Sequence, residues 1–144
     1  MSAEHFFSDA QKAEIRKAIE MAEEKTSGEI RVHIQEKCKG NGVKTAEKVF
    51  AQLKMHKTKL RNGVLFFLAI DSRVFAIYGD KGIHEKVPAN FWNEISSTME
   101  DHFRKGDFTG GLTHGIKITG EQLAKHFPHQ DSDKNELTNE ISFK

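Results

Sequence analysis

Five residues of the 144-residue chain carry side-chain oxygens in settings that suit a hard cation: Glu29, Asn62, Asp80, Glu85 and Asp107. Calcium takes about six to eight oxygens, drawn from carboxylates, amide and backbone carbonyls and water. Asp80, Glu85 and Asp107 lie in glycine-bearing stretches, around Gly79-Asp80-Lys81-Gly82 and Gly106-Asp107, where carbonyls can turn inward. Glu29 opens a strand-like run, and Asn62 can offer its amide oxygen. Carboxylates brought together repel one another. A divalent ion, or two, would relieve that repulsion and tie the loops down. The same residue types are also ordinary turn formers. Spacing alone leaves both readings open.

Other chemistries find less support. Eight histidines are present, but none are spaced as His-Glu-x-x-His, and the single cysteine excludes the usual structural zinc sets. Most of the histidines read as surface residues, and His84 stands out only because it adjoins Glu85. Asp131-x-Asp133-x-Asn135 looks like the opening of an EF-hand loop. That loop needs a glycine and then a bidentate glutamate where this chain has Glu136 and Ser142. Cys38 lacks the downstream arginine of a tyrosine-phosphatase thiolate, since Lys44 stands there. No Gly-Lys-Ser or Gly-Lys-Thr loop cradles a nucleotide phosphate.

The elements that must position these residues follow from periodicity. Ser8 with Gln11 forms a capping box, and Ile15, Ala18, Ile19 and Ala22 recur at helical spacing, which predicts a helix over 8–25. Ile30, Val32 and Ile34 alternate with Arg31, His33 and Gln35, the pattern of a strand with one wet face or an exposed edge. Ala46, Val49, Phe50 and Leu53 predict a helix over 43–56. Val64 to Ile70 is an unbroken apolar run, as in a strand buried on both faces. Asp71-Ser72 turns it into a second strand from Arg73 to Tyr78. Pro88 suits the first turn of a helix carrying Phe91, Trp92, Ile95, Met99 and Phe103. Leu112, Ile116, Leu123 and Phe127 mark a last helix, loosened at its start by glycines and ended by Pro128. Residues 1–128 thus read as one domain. Residues 129–144 form a polar tail in which Ile141 and Phe143 alternate, so that it could add an edge strand.

Chain direction then decides which ends meet. A helical crossover makes the first two strands parallel, and the hairpin returns the third antiparallel. Glu29, Asn62-Gly63 and Gly79-Asp80 are therefore expected at one end of the sheet, and the Asp71 turn at the other. Topology does not say at which end the loop carrying Asp107 lies.

Charge sharpens the picture. Lys plus Arg is 22 against 21 Asp plus Glu, a net charge of +1, which argues against a bulk polyanion binder. The segment from Arg31 to Arg61 carries +7 and the remainder −6. That basic stretch could meet phosphate or an acidic protein. A nucleic-acid groove would want interleaved aromatics, and only Phe50 lies nearby, so no nucleic acid is expected. No apolar run approaches the ~18–20 residues of a membrane span, no signal-peptide pattern opens the chain, and one cysteine forms no internal disulfide. A cytoplasmic location is the expectation.

Thr26-Ser27-Gly28-Glu29-Ile30, Asn62-Gly63-Val64-Leu65, Arg73, Gly82-Ile83-His84-Glu85 and Phe103-Arg104-Lys105-Gly106-Asp107-Phe108 to Gly111-Leu112 stand in an order and spacing that resemble the TPM domain family. The resemblance covers about residues 6–127. It implies a three-layer α/β/α sandwich with a small mixed central sheet of about four strands. It also implies a pair of crossing loops at one end, here about 79–88 and 104–111, that hold divalent metal, usually calcium. It thereby favours Asp80, Glu85 and Asp107 as ligands. Some plant members are linked to acid phosphatase activity and photosystem repair, and many members are secreted or membrane-anchored. The expected function is a stand-alone, calcium-binding domain with a structural or regulatory role. The alternatives are a metal-assisted acid phosphatase, for which the chain offers no dedicated general acid, and a protein-interaction module using the basic 31–61 segment.

Overall fold

The computed structural model describes residues 2–130 and 137–144. The chain runs α1 (Ala3–Phe6), α2 (Asp9–Glu23), β1 (Glu29–Gln35), α3 (Gly42–Gln52), β2 (Gly63–Ala69), β3 (Val74–Gly79), α4 (Lys81–His84), α5 (Asn93–Arg104), α6 (Phe108–Leu123) and β4 (Ser142–Phe143). The Asp131-x-Asp133-x-Asn135 stretch lies outside the described residues. The capping box at α2 forms as expected, with the Ser8 side chain accepting from Gln11 N and the Gln11 side chain accepting from Ser8 N.

The sheet has the order β3-β2-β1-β4. β1 and β2 are parallel with Glu29 opposite Gly63, and β2 and β3 are antiparallel with Val64 opposite Gly79. Every residue of β2 is buried, as its unbroken apolar run requires. One face of the sheet, with Ile30, Val32, Ile34, Val64, Phe66 and Leu68, packs with Ile15, Ile19, Met99, Leu112, Ile116 and other residues of α2, α5 and α6. The other face, with Leu65, Phe67, Ala69 and Ala76, packs beneath Ala46, Val49 and Phe50 of α3. This is the three-layer α/β/α sandwich with a mixed central sheet.

The polar residues of β1 are not on a wet face. β4 pairs parallel to β1, Ile141 is buried beside it, and the tail strand closes that edge. His33 is only 3 % exposed, with Nδ1 3.0 Å from Ser142 Oγ and Nε2 3.0 Å from Gln35 Oε1, and its ring stacks on Phe67. The alternation that reads as solvent contact is instead a satisfied polar layer. Burial, with Lys144 and Arg31 adding like charge, holds the His33 imidazole below its ordinary 6.5. The unfolded chain therefore binds that proton more readily. The stabilisation is fully present above about pH 6.5 and is lost as pH falls through the lowered folded value. A His33→Gln variant is expected to show a flatter loss of stability below pH 6.5, read from urea midpoints at pH 5 and 7. Unchanged acid sensitivity would place the titrating group elsewhere.

The last two helices depart from expectation. α5 begins at Asn93, not at Pro88, whose carbonyl instead accepts a turn bond from Phe91 N. α6 begins at Phe108, capped by Asp107, so its glycines lie inside the helix. Their role is close approach. A Cβ at Gly111 would stand 2.5 Å from the Phe103 ring, one at Gly115 2.6 Å from Met99 Cγ, and one at Gly120 2.7 Å from Ala22 Cβ. The glycines let α6 lie against α5 and α2, a packing gain that offsets their low helix propensity.

Candidate functional site

The expected meeting of strand ends is there. Glu29 N donates to Asn62 O at 3.3 Å, and Asp80 N donates to Gly63 O at 2.9 Å. Asn62 is 1 % exposed, Glu29 3 % and Asp80 4 %. Three polar side chains are thus taken from water at one edge of the sheet, where each needs a partner.

Asp80 has one within the chain. It caps α4 by accepting from Lys81 N, and it receives Arg61 in a bidentate pair, Nε to Oδ2 at 2.7 Å and an Nη2 to Oδ1 at 3.0 Å. Arg61 reaches it from a left-handed backbone position, φ 52°. The Asp80 carboxylate in turn raises the Arg61 guanidinium above its ordinary range. One cation of the basic 31–61 segment is therefore turned inward as a structural clamp. Periodicity gave no hint of this pairing, because the partners lie 19 residues apart on a turn and a strand end.

Glu29 meets a residue that spacing did not mark. Glu23, on the last turn of α2, accepts from Ile30 N through Oε2 at 3.0 Å and shares a side-chain hydrogen bond with Glu29. Burial first, then the neighbouring Glu29 charge, pushes the Glu23 carboxyl from 4.5 up to about 8, against the lowering effect of the Ile30 N–H. A proton thus stands between two carboxyl groups that cannot both ionise cheaply. At the start of the neighbouring strand, Asn62, whose backbone carbonyl accepts from Glu29 N, donates from Nδ2 to Ser27 Oγ at 3.4 Å, while its Oδ1 is buried with no donor among the described residues. An unsatisfied buried carbonyl of this kind costs roughly 1–3 kcal/mol.

The remaining two candidates lie apart from this group. Glu85 is exposed at the C-terminal end of α4. Asp107 is at the far end of the molecule. α6 starts there and ends at Leu123, whose Cδ1 lies 3.0 Å from the place a Gly28 Cβ would take. Its 16 residues span roughly 24 Å. Phe103 and Phe108, flanking Asp107, stack on each other, and Phe103 meets Phe75 at the start of β3, next to the Asp71 turn. Asp107 itself accepts from Gly110 N at 2.9 Å and from His102 Nδ1 at 3.1 Å, and these bonds hold its carboxyl below the ordinary range. Residues 79–88 and 104–111 are thus on opposite ends of the sheet. Among the described residues no three His, Cys, Asp or Glu side chains converge as a ready metal shell.

Comparison with known proteins agrees with the sequence motifs. The TPM domain model matches residues 1–122. The NMR structure of the BA42 protein from the psychrophilic bacterium Bizionia argentinensis is 42% identical, with a TM-score of 0.93 over 98% of this chain and 97% of that one. The N-terminal domain of a P. gingivalis protein shares the fold at 21% identity, with a TM-score of 0.68 over 88% of this chain and 83% of that one. The N-terminal domain of cg2496 from Corynebacterium glutamicum does so at 12% identity and a TM-score of 0.65, over 94% and 80%. No curated protein sequence matches. No helix among the described residues is long and apolar enough to cross a membrane. The chain belongs to the TPM domain family.

Proposed function

We propose that this TPM domain binds a divalent cation, calcium first among the candidates, at the strand-end cluster of Glu29, Glu23 and Asn62, with a structural or regulatory role. The observation that carries the reading is the Asn62 Oδ1, a carbonyl oxygen buried with no donor among the described residues, on a residue whose backbone carbonyl accepts from Glu29 N. Oxygen donors of two carboxylates and one amide fit a hard cation, and water would complete the set. Asp80 lies at the same edge but is held by Arg61, so it serves as a neighbour rather than a ligand unless that pair opens. A bound ion would neutralise the Glu23–Glu29 pair and tie the end of α2 to the starts of β1 and β2.

Calorimetry with calcium chloride tests this. The parent protein and an Asp107→Asn variant are expected to give the same saturable heat, and Glu29→Gln to weaken binding at least tenfold. Absence of heat at millimolar calcium, or loss in Asp107→Asn with Glu29→Gln intact, would overturn the assignment.

A further inference from the structure

A second cluster lies where α5 meets α6, built from nitrogen rather than oxygen. His102 lies on the last turns of α5 and His114 in the second turn of α6. The two helices can come close there because Gly111 and Gly115 carry no side chain: a Cβ at Gly111 would press on Phe103 and stand 3.2 Å from His102 Cβ. The result is a chain of three groups. Asp107 Oδ2 lies 3.1 Å from His102 Nδ1, and His102 Nε2 lies 3.3 Å from His114 Nδ1, with the rings inclined at 73°.

Each link has a chemical consequence. A carboxylate on Nδ1 fixes the proton of His102 on that nitrogen, which leaves the Nε2 lone pair aimed away from Asp107. This is the backing that metal-bound imidazoles commonly have. The Nε2 to Nδ1 separation is also suggestive. Two imidazole nitrogens bound at about 2.0–2.1 Å to one tetrahedral ion stand roughly 3.3–3.4 Å apart. That is the observed 3.3 Å, so the two nitrogens already stand at ligand separation and a turn of the two rings would aim both lone pairs at one ion. His114 then needs only to carry its proton on Nε2. His114 is exposed, and both rings line one groove with Met21, Lys25, Thr113 and Lys117.

We propose that His102 Nε2 and His114 Nδ1 form a binding site for zinc or another imidazole-preferring divalent transition metal, with Asp107 orienting His102. No third His, Cys, Asp or Glu converges on it among the described residues, so water or a ligand from solution fills the remaining positions. The site is independent of the calcium reading: its donors are nitrogens, which a hard cation does not prefer, and His114 stands nine residues, roughly 14 Å, from the Leu123 end of α6.

Zinc chloride titrated into the full chain, followed by the imidazole resonances and by calorimetry, tests the proposal. The expected result is one saturable equivalent that shifts His102 and His114. His114→Gln, an exposed change that leaves the fold intact, should weaken binding at least tenfold. Asp107→Asn keeps a capping side chain on α6 but loses the charge on His102, and should weaken binding by roughly tenfold. Calcium at tenfold excess should leave the zinc isotherm unchanged. The proposal fails if zinc gives no saturable shift at His102 and His114. It also fails if affinity in His114→Gln stays within twofold of the parent, which would assign the metal to other histidines.

Discussion

Replacing Gly82 by alanine is expected to lower the unfolding midpoint by roughly 6–12 °C. The new Cβ would stand 2.6 Å from the Arg61 carbonyl oxygen and closer still to that of Leu60. Both are backbone atoms, so no side chain can swing aside. The same turn is held by the Gly82 N–H donating to Arg61 O at 2.9 Å, and it carries the Arg61 guanidinium to Asp80. Relief of the clash must therefore move the 60–62 turn and disturb the buried end of the sheet. Overpacking of this kind costs about 3 kcal/mol, and a chain of this size loses roughly 2–4 °C per kcal/mol. Gly40→Ala is the control. Gly40 has φ 78° with nothing within 4 Å, so only the backbone penalty of about 1 kcal/mol applies. Circular-dichroism melts compare the two. A Gly82→Ala protein melting within 2 °C of the parent would show that the turn is not tightly packed.

The second large effect is a dependence of stability on pH in chelated buffer. Glu23 titrates near 4.5 when free and at about 8 in the folded chain. Between those values the folded state holds a proton that the unfolded state has released. Raising the pH therefore favours unfolding, and stability should decline from about pH 5 to pH 8, by roughly 2–4 kcal/mol after structural relaxation. The sign is opposite to that of His33, whose contribution is lost on going acid, so the two together define a stability maximum on the acid side of neutral. Glu23→Gln keeps an acceptor for Ile30 N and removes the titration. Its urea midpoints should be nearly level from pH 6.5 to pH 8, with only the His33 loss left at pH 5, and at pH 8 it should exceed the parent. Parallel profiles for the two proteins would contradict the shared-proton account.

Much of the fold is written in local pattern. The Ser8–Gln11 box, the apolar run of β2 and the Asp71-Ser72 turn each specify their element through nearest neighbours, and the crossover rule then brings Glu29, Asn62 and Asp80 to one edge. What periodicity missed has a common cause. Alternation in β1 reads as a wet strand because the partner that satisfies His33, Ser142, is 109 residues away. The α6 glycines read as loosening because helix propensity is a local quantity, whereas their use depends on Phe103, Met99 and Ala22 of other helices.

The candidate site divides along the same line. Glu29 and Asn62 were placed by chain direction. Glu23, which completes the pair, looks like any charged residue near a helix end. Asp107 carries a glycine-loop signature like that of Asp80, but such a signature specifies a turn and not the end of the sheet at which the turn falls. Two histidines 12 residues apart, His102 and His114, have no motif at all. Only an antiparallel helix pair with glycines at the crossing makes them neighbours.

The most direct measurement is a calcium titration of the ¹⁵N-labelled protein followed by amide chemical shifts. The account predicts saturable shifts for Gly28 to Ile30, Asn62 to Val64 and Glu23, with the 104–111 amides unmoved. Shifts concentrated at 104–111, or none anywhere at millimolar calcium, would contradict it.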